Sequence, residues 1–318
     1  MEKQFIEVYV ENIVQLTSSI KKFKLAPVDA TSLPRFSAGS HIITRVKGME
    51  GFIERRYSLT NSPKEHSLYS IAIRKQQNSK GGSLFWHEHM KEGDRLKISF
   101  PKNHFPLSNQ GKKHLFFAMG IGITPFLSMM ETLKADAIPF ELHYAAPSKE
   151  QCAFYKELNE DFPNECNFYF SSNGHRIKSN IMENQPIGTH VYFCGSEKMM
   201  NDFSEHAKLI GYTNRTIHYE LFTPPSFGKT EPFQVHLARS KKIIEVKSNE
   251  TLLDSLLKHQ IQAPYSCKIG GCGSCQIEVL NGNVDHRDLF LTEAEKQQNN
   301  CILTCVSRAQ DDLLVLNL

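Results

Sequence analysis

Residues 267–275 read Cys-Lys-Ile-Gly-Gly-Cys-Gly-Ser-Cys, and Cys305 follows near the end of the chain. This is the spacing C-x4-C-x2-C…C, which holds a 2Fe-2S cluster because two irons need four thiolates, two for each iron. The glycines of the loop permit positive φ and leave room for backbone N–H groups to point at sulfur. The sequence therefore predicts an iron–sulfur cluster bound by Cys267, Cys272, Cys275 and Cys305.

Other interpretations of the cysteines are less consistent with their pattern. A structural zinc site usually pairs two short Cys-x2–4-Cys knuckles, whereas here three cysteines share one glycine-rich loop. A disulfide framework is disfavoured because the chain is long and five of its eight cysteines fall in the last fifth. Cys301 is the alternative fourth ligand, but we prefer Cys305 because residues 303–307 are typical of a strand edge.

Composition sets the broad class of protein. The chain has 318 residues, a net charge of +3 and 40% hydrophobic residues, and at roughly 100–200 residues per domain it should form two or three domains. The near balance of charge argues against nucleic-acid binding. No apolar run approaches the ~18–20 residues of a membrane span, and the N-terminus lacks a signal-peptide pattern. We expect a soluble, cytoplasmic protein.

Three segments with different predicted secondary-structure patterns follow one another along the chain. Residues 1–108 carry short alternating runs punctuated by Gly and Pro, which predict a β-sandwich or small barrel. Residues 109–223 alternate strands with helices, including a helix over 149–160, and so predict a parallel α/β sheet. Residues 224–232 are typical of a linker. Residues 233–318 begin with a hairpin and a helix over 251–259, capped by Ser248 or Asn249.

The middle segment carries a candidate nucleotide site. Gly120-x-Gly122-x-x-Pro125, which includes Thr124, follows a predicted strand and opens a helix, so its backbone N–H groups can approach a diphosphate. Cys194 and Gly195 end a later strand, where open parallel sheets bind ligands. The alternative is a tight strand-to-helix turn that binds nothing.

The first segment contains groups suited to a phosphate and a ring system. Arg55 can pair with a phosphate, Tyr57 can stack on a planar ring, and Ser58 follows them. Residues 81–83 are Gly-Gly-Ser before a predicted helix and offer further backbone donors. The alternative is a solvated Arg55 and a core Tyr57.

Taken together, the chain resembles the phthalate dioxygenase reductase family over nearly its whole length. The segments that carry the resemblance are Arg55–Leu59, Gly81–Ser83, Pro101–Leu107, Met119–Pro125, Tyr192–Gly195, His218–Phe222 and the four cysteines. The resemblance implies a multidomain fold: an antiparallel β-barrel domain binding FMN rather than FAD (1–108), a parallel-sheet α/β domain binding NAD (109–223), and an α+β plant-type ferredoxin domain (233–318).

The resemblance also implies roles for individual residues. Those expected to bind FMN are Arg55, Tyr57, Ser58, Gly81, Gly82 and Ser83, with Ile73 and Lys75 on the adjacent strand and an aromatic ring from Phe222. Those expected to bind the nicotinamide nucleotide are Gly120, Gly122, Thr124, Cys194 and Gly195. No proton-transfer residue is needed for hydride transfer, so none is named.

The activity implied is electron transfer from NADH through FMN and the 2Fe-2S cluster to a terminal oxygenase of the Rieske non-haem iron type. Two departures stand out. Ser196 replaces a common Pro, and residues 171–174, Ser-Ser-Asn-Gly, replace an Asp before Gly, which weakens the preference for NADH over NADPH. The alternatives are a reductase for a diiron hydroxylase or another redox protein, and a non-catalytic iron–sulfur sensor or metal-binding module.

Overall fold

The computed structural model describes residues 5–29, 32–48, 51–76, 81–223 and 230–318. The chain forms two compact units, Met1–Glu220 and Leu221–Leu318. Most of the predicted linker, residues 224–229, lies outside the described residues. Within the described part of the chain, no helix is both long and apolar enough to cross a membrane.

The first unit begins with an antiparallel sheet. Its strands are β1 (Phe5–Thr17), β2 (Ile20–Pro27), β3 (His41–Gly48), β4 (Gly51–Ser58), β5 (Tyr69–Arg74) and β6 (Arg95–Ser99), and helix α1 (Gly82–Glu88) follows β5. The strand order is β4-β3-β6-β1-β2-β5, and a bridge between Leu59 and Ile71 joins the two outer strands. The sheet therefore closes into a barrel, with Trp86 of α1 fully buried in its core.

A parallel sheet completes this unit, as the predicted alternation of strands and helices indicates. Its strands are β7 (Lys113–Met119), β8 (Phe140–Ala146), β9 (Cys166–Phe170), β10 (Thr189–Cys194) and β11 (Ile217–Glu220), in the order β11-β10-β7-β8-β9. Its helices are α2 (Thr124–Ala135), α3 (Tyr155–Asp161) and α4 (Glu197–Leu209). The three central strands, β7, β8 and β10, are largely buried, and β7 and β10 are accordingly nearly continuous apolar runs.

Besides the core inside the barrel, a second apolar cluster joins the barrel to the parallel sheet. Gly39 lies at their junction with φ +84°, and a Cβ there would lie 2.0 Å from the Phe105 carbonyl oxygen. Its N–H donates to Ser128 Oγ of α2 at 3.1 Å. Phe105 packs on Phe126 of the same helix. Only glycine fits this close approach, and it fixes the barrel against α2.

The second unit is a smaller α+β fold. Its strands are β12 (Phe233–Leu237), β13 (Lys242–Val246), β14 (Gln276–Asn281), β15 (Val284–Asp285), β16 (Cys301–Leu303), β17 (Arg308–Ala309) and β18 (Leu313–Leu316). Its helices are α5 (Leu252–Lys258) and α6 (Glu293–Gln298). The main sheet has the order β13-β12-β18-β14-β16 and packs α5 on its apolar face.

Three local predictions are wrong. The helix predicted over 149–160 begins only at Tyr155, because Phe154 takes a left-handed backbone (φ 63°) and is buried in the core. Helix α5 is capped by Thr251, whose side chain accepts from the Asp254 N–H, and not by Ser248 or Asn249. Cys305 lies in a turn after β16 rather than on a strand edge, since the Val306 N–H bonds back to the Leu303 carbonyl.

Candidate functional site

The barrel brings two sequence motifs together at Gly82. A Cβ at this glycine would lie 2.7 Å from Arg55 Nε and 2.8 Å from Arg55 Cγ, so the arginine side chain crosses the first turn of α1. Gly81 supplies the turn with φ +83°, and Ser83 Oγ accepts from the Gln76 N–H at 3.1 Å. The guanidinium and the Gly81–Ser83 turn are therefore close enough to bind the same phosphate group.

The neighbouring predicted residues are fixed by packing. Tyr57 meets the edge of Trp86 with ring centroids 5.9 Å apart, and burial raises the pKa of its phenol well above its usual range. Ser58 is buried at the end of β4 opposite His41. The Ile73 carbonyl lies 2.8 Å from His87 Nε2, and Lys75 Nζ lies 3.0 Å from Glu88 Oε1. The two contacts tie α1 to the end of β5 and to the residue that follows it.

The nucleotide motif meets the end of β10 at Gly122. A Cβ at this position would lie 2.1 Å from the Cys194 carbonyl oxygen and 3.1 Å from the Gly195 nitrogen. The turn therefore needs glycine to pass this backbone. Gly120 has φ +55° and its carbonyl accepts from the Tyr144 hydroxyl at 2.9 Å. Thr124 begins α2, and its Oγ1 donates to the Ile121 carbonyl at 3.0 Å.

A carboxyl group missed by the sequence analysis lies beside this site. Glu220 pairs in register with Cys194 across parallel strands β10 and β11. Burial raises the pKa of Glu220 to about 8, against the opposing effect of Arg56, and its Oε2 is shielded from solvent. Burial, and then the charge of Glu220, raises the pKa of the Cys194 thiol well above its usual range. Both groups are therefore largely uncharged at neutral pH.

A weak signal for Glu220 was present in the sequence. It is the one acidic residue in the stretch 218–222, directly after a strand, at the end where parallel sheets bind ligands. Its pairing with Cys194 depends on the register of β10 and β11, which spacing along the chain does not give.

In the second unit the four predicted ligand cysteines converge. The Sγ atoms of Cys275 and Cys305 lie 3.1 Å apart, and the Cys267 thiol interacts with those of Cys272 and Cys305. All eight cysteines of the chain are free thiols. Four sulfurs converging from one loop and one distant turn are the donor set that a 2Fe-2S cluster requires.

Backbone donors point at the sulfurs of this loop. The Ile269 N–H donates to Cys267 Sγ at 3.5 Å and the Cys267 N–H to Cys272 Sγ at 3.3 Å. Hydrogen bonds from the thiols of Cys272 and Cys305, and then from backbone N–H groups, hold the pKa of Cys267 far below its usual range. These donors stabilise negative charge on the Cys267 sulfur, and thiolate is the form that binds iron.

Cys301, the alternative ligand, lies in β16 and has a different neighbour. Burial raises the pKa of its thiol, and its side chain interacts with Gln276. The geometry favours Cys305, whose sulfur is adjacent to that of Cys275.

A second feature that the sequence did not reveal is the buried carboxylate of Asp288. Its Oδ1 accepts from the N–H groups of Phe290 at 3.1 Å and Leu291 at 2.8 Å, and Ser307 Oγ lies 3.4 Å from its Oδ2. The Leu289 N–H donates to the Gly270 carbonyl. Asp288 therefore holds segment 288–291 against the cysteine loop.

Phe222, the last of the predicted flavin contacts, lies in the second unit with 43% of its surface exposed. Its role stays a prediction.

Three family models match successive parts of the chain. Residues 7–106 match an oxidoreductase FAD-binding domain, and residues 235–310 match a 2Fe-2S iron-sulfur cluster binding domain. Between them, residues 100–217 match the N-terminal domain of dimethylamine monooxygenase subunit DmmA-like proteins. The three matched ranges succeed one another along the chain, and the first two overlap at residues 100–106.

Relatives of similar length match the chain from end to end. A carnitine monooxygenase reductase subunit of Acinetobacter pittii is 41% identical over 307 residues, covering 96% of this chain and 99% of the relative. A heme-dependent oxidative N-demethylase beta subunit of Ectopseudomonas mendocina is 37% identical over 313 residues, covering 98% and 99%. A solved phthalate dioxygenase reductase, described as a modular structure for electron transfer from pyridine nucleotides to 2Fe-2S, superposes with a TM-score of 0.77 and 31% identity over 99% of this chain and 98% of its own. The convergent thiols, the closed barrel and the glycine turn thus accompany identity along the whole chain, and the chain belongs to the phthalate dioxygenase reductase-like family of oxidoreductases.

Proposed function

We propose that this protein is the reductase subunit of an oxygenase system and passes electrons from NADH through FMN and a 2Fe-2S cluster to a terminal oxygenase of the Rieske non-haem iron type. The observation that carries the proposal is the convergence of four cysteine thiols in a domain fused to a barrel and a nucleotide-type sheet. Oxygenase reductases among the relatives support the class of partner.

The division of labour follows the segments. We assign FMN to residues 1–108, NADH to 109–223 and the cluster to 233–318, with 224–232 as linker. When bound, FMN would supply a centre that accepts electrons as a pair and releases them one at a time, and a 2Fe-2S cluster would supply a one-electron centre. A cytoplasmic location is part of the proposal and fits eight cysteines that form no disulfide.

The chain's own residues bind and orient these groups. Arg55, Gly81, Gly82 and Ser83 would hold the FMN phosphate, while Tyr57, Ser58, Ile73 and Lys75 would shape the ring pocket. Phe222 stays the aromatic residue that the family resemblance assigns to the flavin. The turn Gly120–Thr124 holds the nucleotide diphosphate, and Cys194 and Gly195 lie beside the nicotinamide. The neutral, buried Cys194 thiol shapes this pocket and forms no covalent bond.

Replacing one ligand tests the order of transfer. Cys272→Ser should abolish the cluster absorption and lower cytochrome c reduction by more than about a hundredfold, since the cluster is the proposed route by which single electrons reach a protein acceptor. Ferricyanide reduction by NADH, which needs only the flavin, should be largely retained. Both activities are measured on purified protein.

Cys301→Ser is the matched control, since this buried thiol lies in the same domain but beside Gln276. It should keep both activities and the cluster absorption. Equal loss of both activities in Cys272→Ser, or loss of the cluster in Cys301→Ser, would contradict the assignment.

A second acceptor is supported by one comparison. One relative is named a heme-dependent oxidative N-demethylase beta subunit, which supports a haem-dependent demethylase as an alternative acceptor. Electron delivery to a purified Rieske oxygenase and to a haem demethylase, measured side by side, distinguishes the two. A protein that oxidises no NADH with any acceptor would instead be a sensor or a metal-binding module.

A further inference from the structure

The strand order fixes how a nicotinamide nucleotide lies across the parallel sheet, given the proposed function. Arg56, within the segment Arg55–Leu59 that is expected to bind the flavin, interacts with Glu220 at the end of β11, and Cys194 ends the adjacent strand β10. The nicotinamide must meet the flavin, so it lies over β10 and β11. The diphosphate then lies at the Gly120–Ile123 turn after β7. The adenosine end lies beyond it, over β8 and β9.

Two loops meet the adenosine end. Residues 147–152 follow β8 and residues 171–176 follow β9. The Ser172 N–H donates to the Pro147 carbonyl at 3.0 Å, so the loops are hydrogen-bonded to each other. All six residues from Ser171 to Arg176 are exposed to solvent. These loops form the surface that a ribose 2′-substituent meets.

The charge of this surface is positive. Lys149, Arg176 and Lys178 are cationic, and segment 166–182 contains no carboxylate. Loop 147–152 also carries an acid, Glu150, whose Oε2 accepts from the Ser148 hydroxyl at 2.7 Å. In dinucleotide-binding sheets, a carboxylate that contacts the ribose binds its 2′-hydroxyl and repels a 2′-phosphate. The loop after β9 lacks that discriminating group.

We propose that the loop 171–176 accepts a 2′-phosphate, with Arg176 and the hydroxyl of Ser172 as its contacts, and that the protein oxidises NADPH as well as NADH. The phosphate gains cationic and hydroxyl partners at the surface, while NADH loses the carboxylate contact that would favour it. The same two-electron oxidation proceeds with either nucleotide.

Steady-state kinetics of the purified holoprotein with ferricyanide test this inference. The kcat/KM for NADPH should lie within about tenfold of that for NADH, because exposed ion pairs contribute modestly. A larger difference in favour of NADH overturns the inference and leaves the proposed function intact. Failure to oxidise either nucleotide overturns the proposed function itself.

Variants locate the site. Arg176→Gln should raise the KM for NADPH about three- to tenfold more than the KM for NADH. Ser172→Asp should lower the NADPH/NADH ratio of kcat/KM by more than about tenfold, because it places like charges together. The control Arg215→Gln removes an exposed cation just before β11, at the opposite edge of the sheet, and should leave the ratio unchanged. Equal changes in Arg176→Gln and Arg215→Gln contradict the assignment.

A binding measurement separates recognition from turnover. Calorimetric titration with 2′,5′-ADP and with 5′-AMP should show tighter binding of 2′,5′-ADP, and Arg176→Gln should reduce that preference. Equal affinity of the two probes for the unchanged protein counts against the inference. Far-UV circular dichroism confirms that each variant is folded.

Discussion

At the scale of single residues, the site depends on glycine positions that have no space for a Cβ atom. Gly122 lies against the backbone of Cys194 and Gly195, which brings the two nucleotide motifs into contact. The sequence predicted both motifs because each is local. It did not predict their contact, which requires the β7–β10 register.

Gly122→Ala should therefore impair binding of NADH. Its Cβ would lie 2.1 Å from the Cys194 carbonyl oxygen, and because the obstacle is backbone the turn must shift. Overpacking of this kind typically costs about 1–3 kcal/mol. We expect a KM for NADH raised at least about tenfold, with a lower thermal midpoint for the first unit. An unchanged KM would show that this turn does not hold the nucleotide.

Glu220 and Asp288 show why the sequence alone did not predict every residue of the candidate site. Each is a single acid with no distinctive spacing around it. Glu220 acquires its raised pKa only when β11 pairs with β10, and Asp288 acquires its donors only when residues 290, 291 and 307 fold around it. The cysteine loop, by contrast, was predictable because cluster binding restricts both residue type and spacing.

At the scale of elements, the least predictable parts are those where burial overrides local preference. Residues 149–154 suit a helix, yet Cys152, Ala153 and Phe154 are drawn into the core and the helix starts late. The barrel closure at Leu59 and Ile71 joins strands that are distant in the sheet order, which alternation alone does not reveal.

Segment 288–291 lies against the cysteine loop, so releasing it should lower the stability of the cluster. Asp288→Ala leaves the Phe290 and Leu291 N–H groups without their carboxylate, a loss of roughly 2–4 kcal/mol from the second unit. We expect the visible absorption of the cluster to disappear faster on mild heating and at lower urea concentration.

Asp285→Asn is the matched control for this variant. Asp285 pairs with Arg287 at 2.6 Å, but its side chain is 38% exposed, so the pair should contribute no more than about 1 kcal/mol. Equal cluster stability in Asp288→Ala and Asp285→Asn would contradict the role given to Asp288.

At the scale of the whole molecule, stability and function both depend on groups from several strands. His114, His190 and His218 lie side by side on β7, β10 and β11, with His190 Nδ1 2.9 Å from His218 Nε2. Burial, and then the nearby His190, lowers the pKa of His114 to about 4. Burial, and then the nearby His190 and His114, lowers the pKa of His218 to about 4 as well. The cluster stays neutral in the folded protein when the unfolded chain is already protonated.

This difference fixes the sign of a pH effect. As pH falls from about 6.5 towards 4, these histidines bind protons in the unfolded state but not in the folded state. The free energy of unfolding therefore decreases over this pH range. Glu220 acts in the opposite direction, because its raised pKa favours the folded state at low pH and costs stability as pH rises towards 8. The wild-type pH profile alone therefore understates the histidine effect.

His114→Phe isolates the histidine contribution. Relative to wild type, it should raise the free energy of unfolding of the first unit by about 2 kcal/mol more at pH 5.0 than at pH 7.5. Urea unfolding followed through Trp86, the single tryptophan, reports on this unit. The same difference between variant and wild type at both pH values would count against the buried cluster.

The central claim is that paired electrons enter this chain and leave singly, and an anaerobic NADH titration followed by visible absorption and electron paramagnetic resonance tests it most directly. A flavin accepts two electrons and the cluster one, so full reduction should take about 1.5 equivalents of NADH. We expect bleaching of both flavin and cluster bands and one iron-centred unpaired spin per chain. A protein that shows no flavin band, or no iron-centred spin after excess NADH and dithionite, would contradict the account.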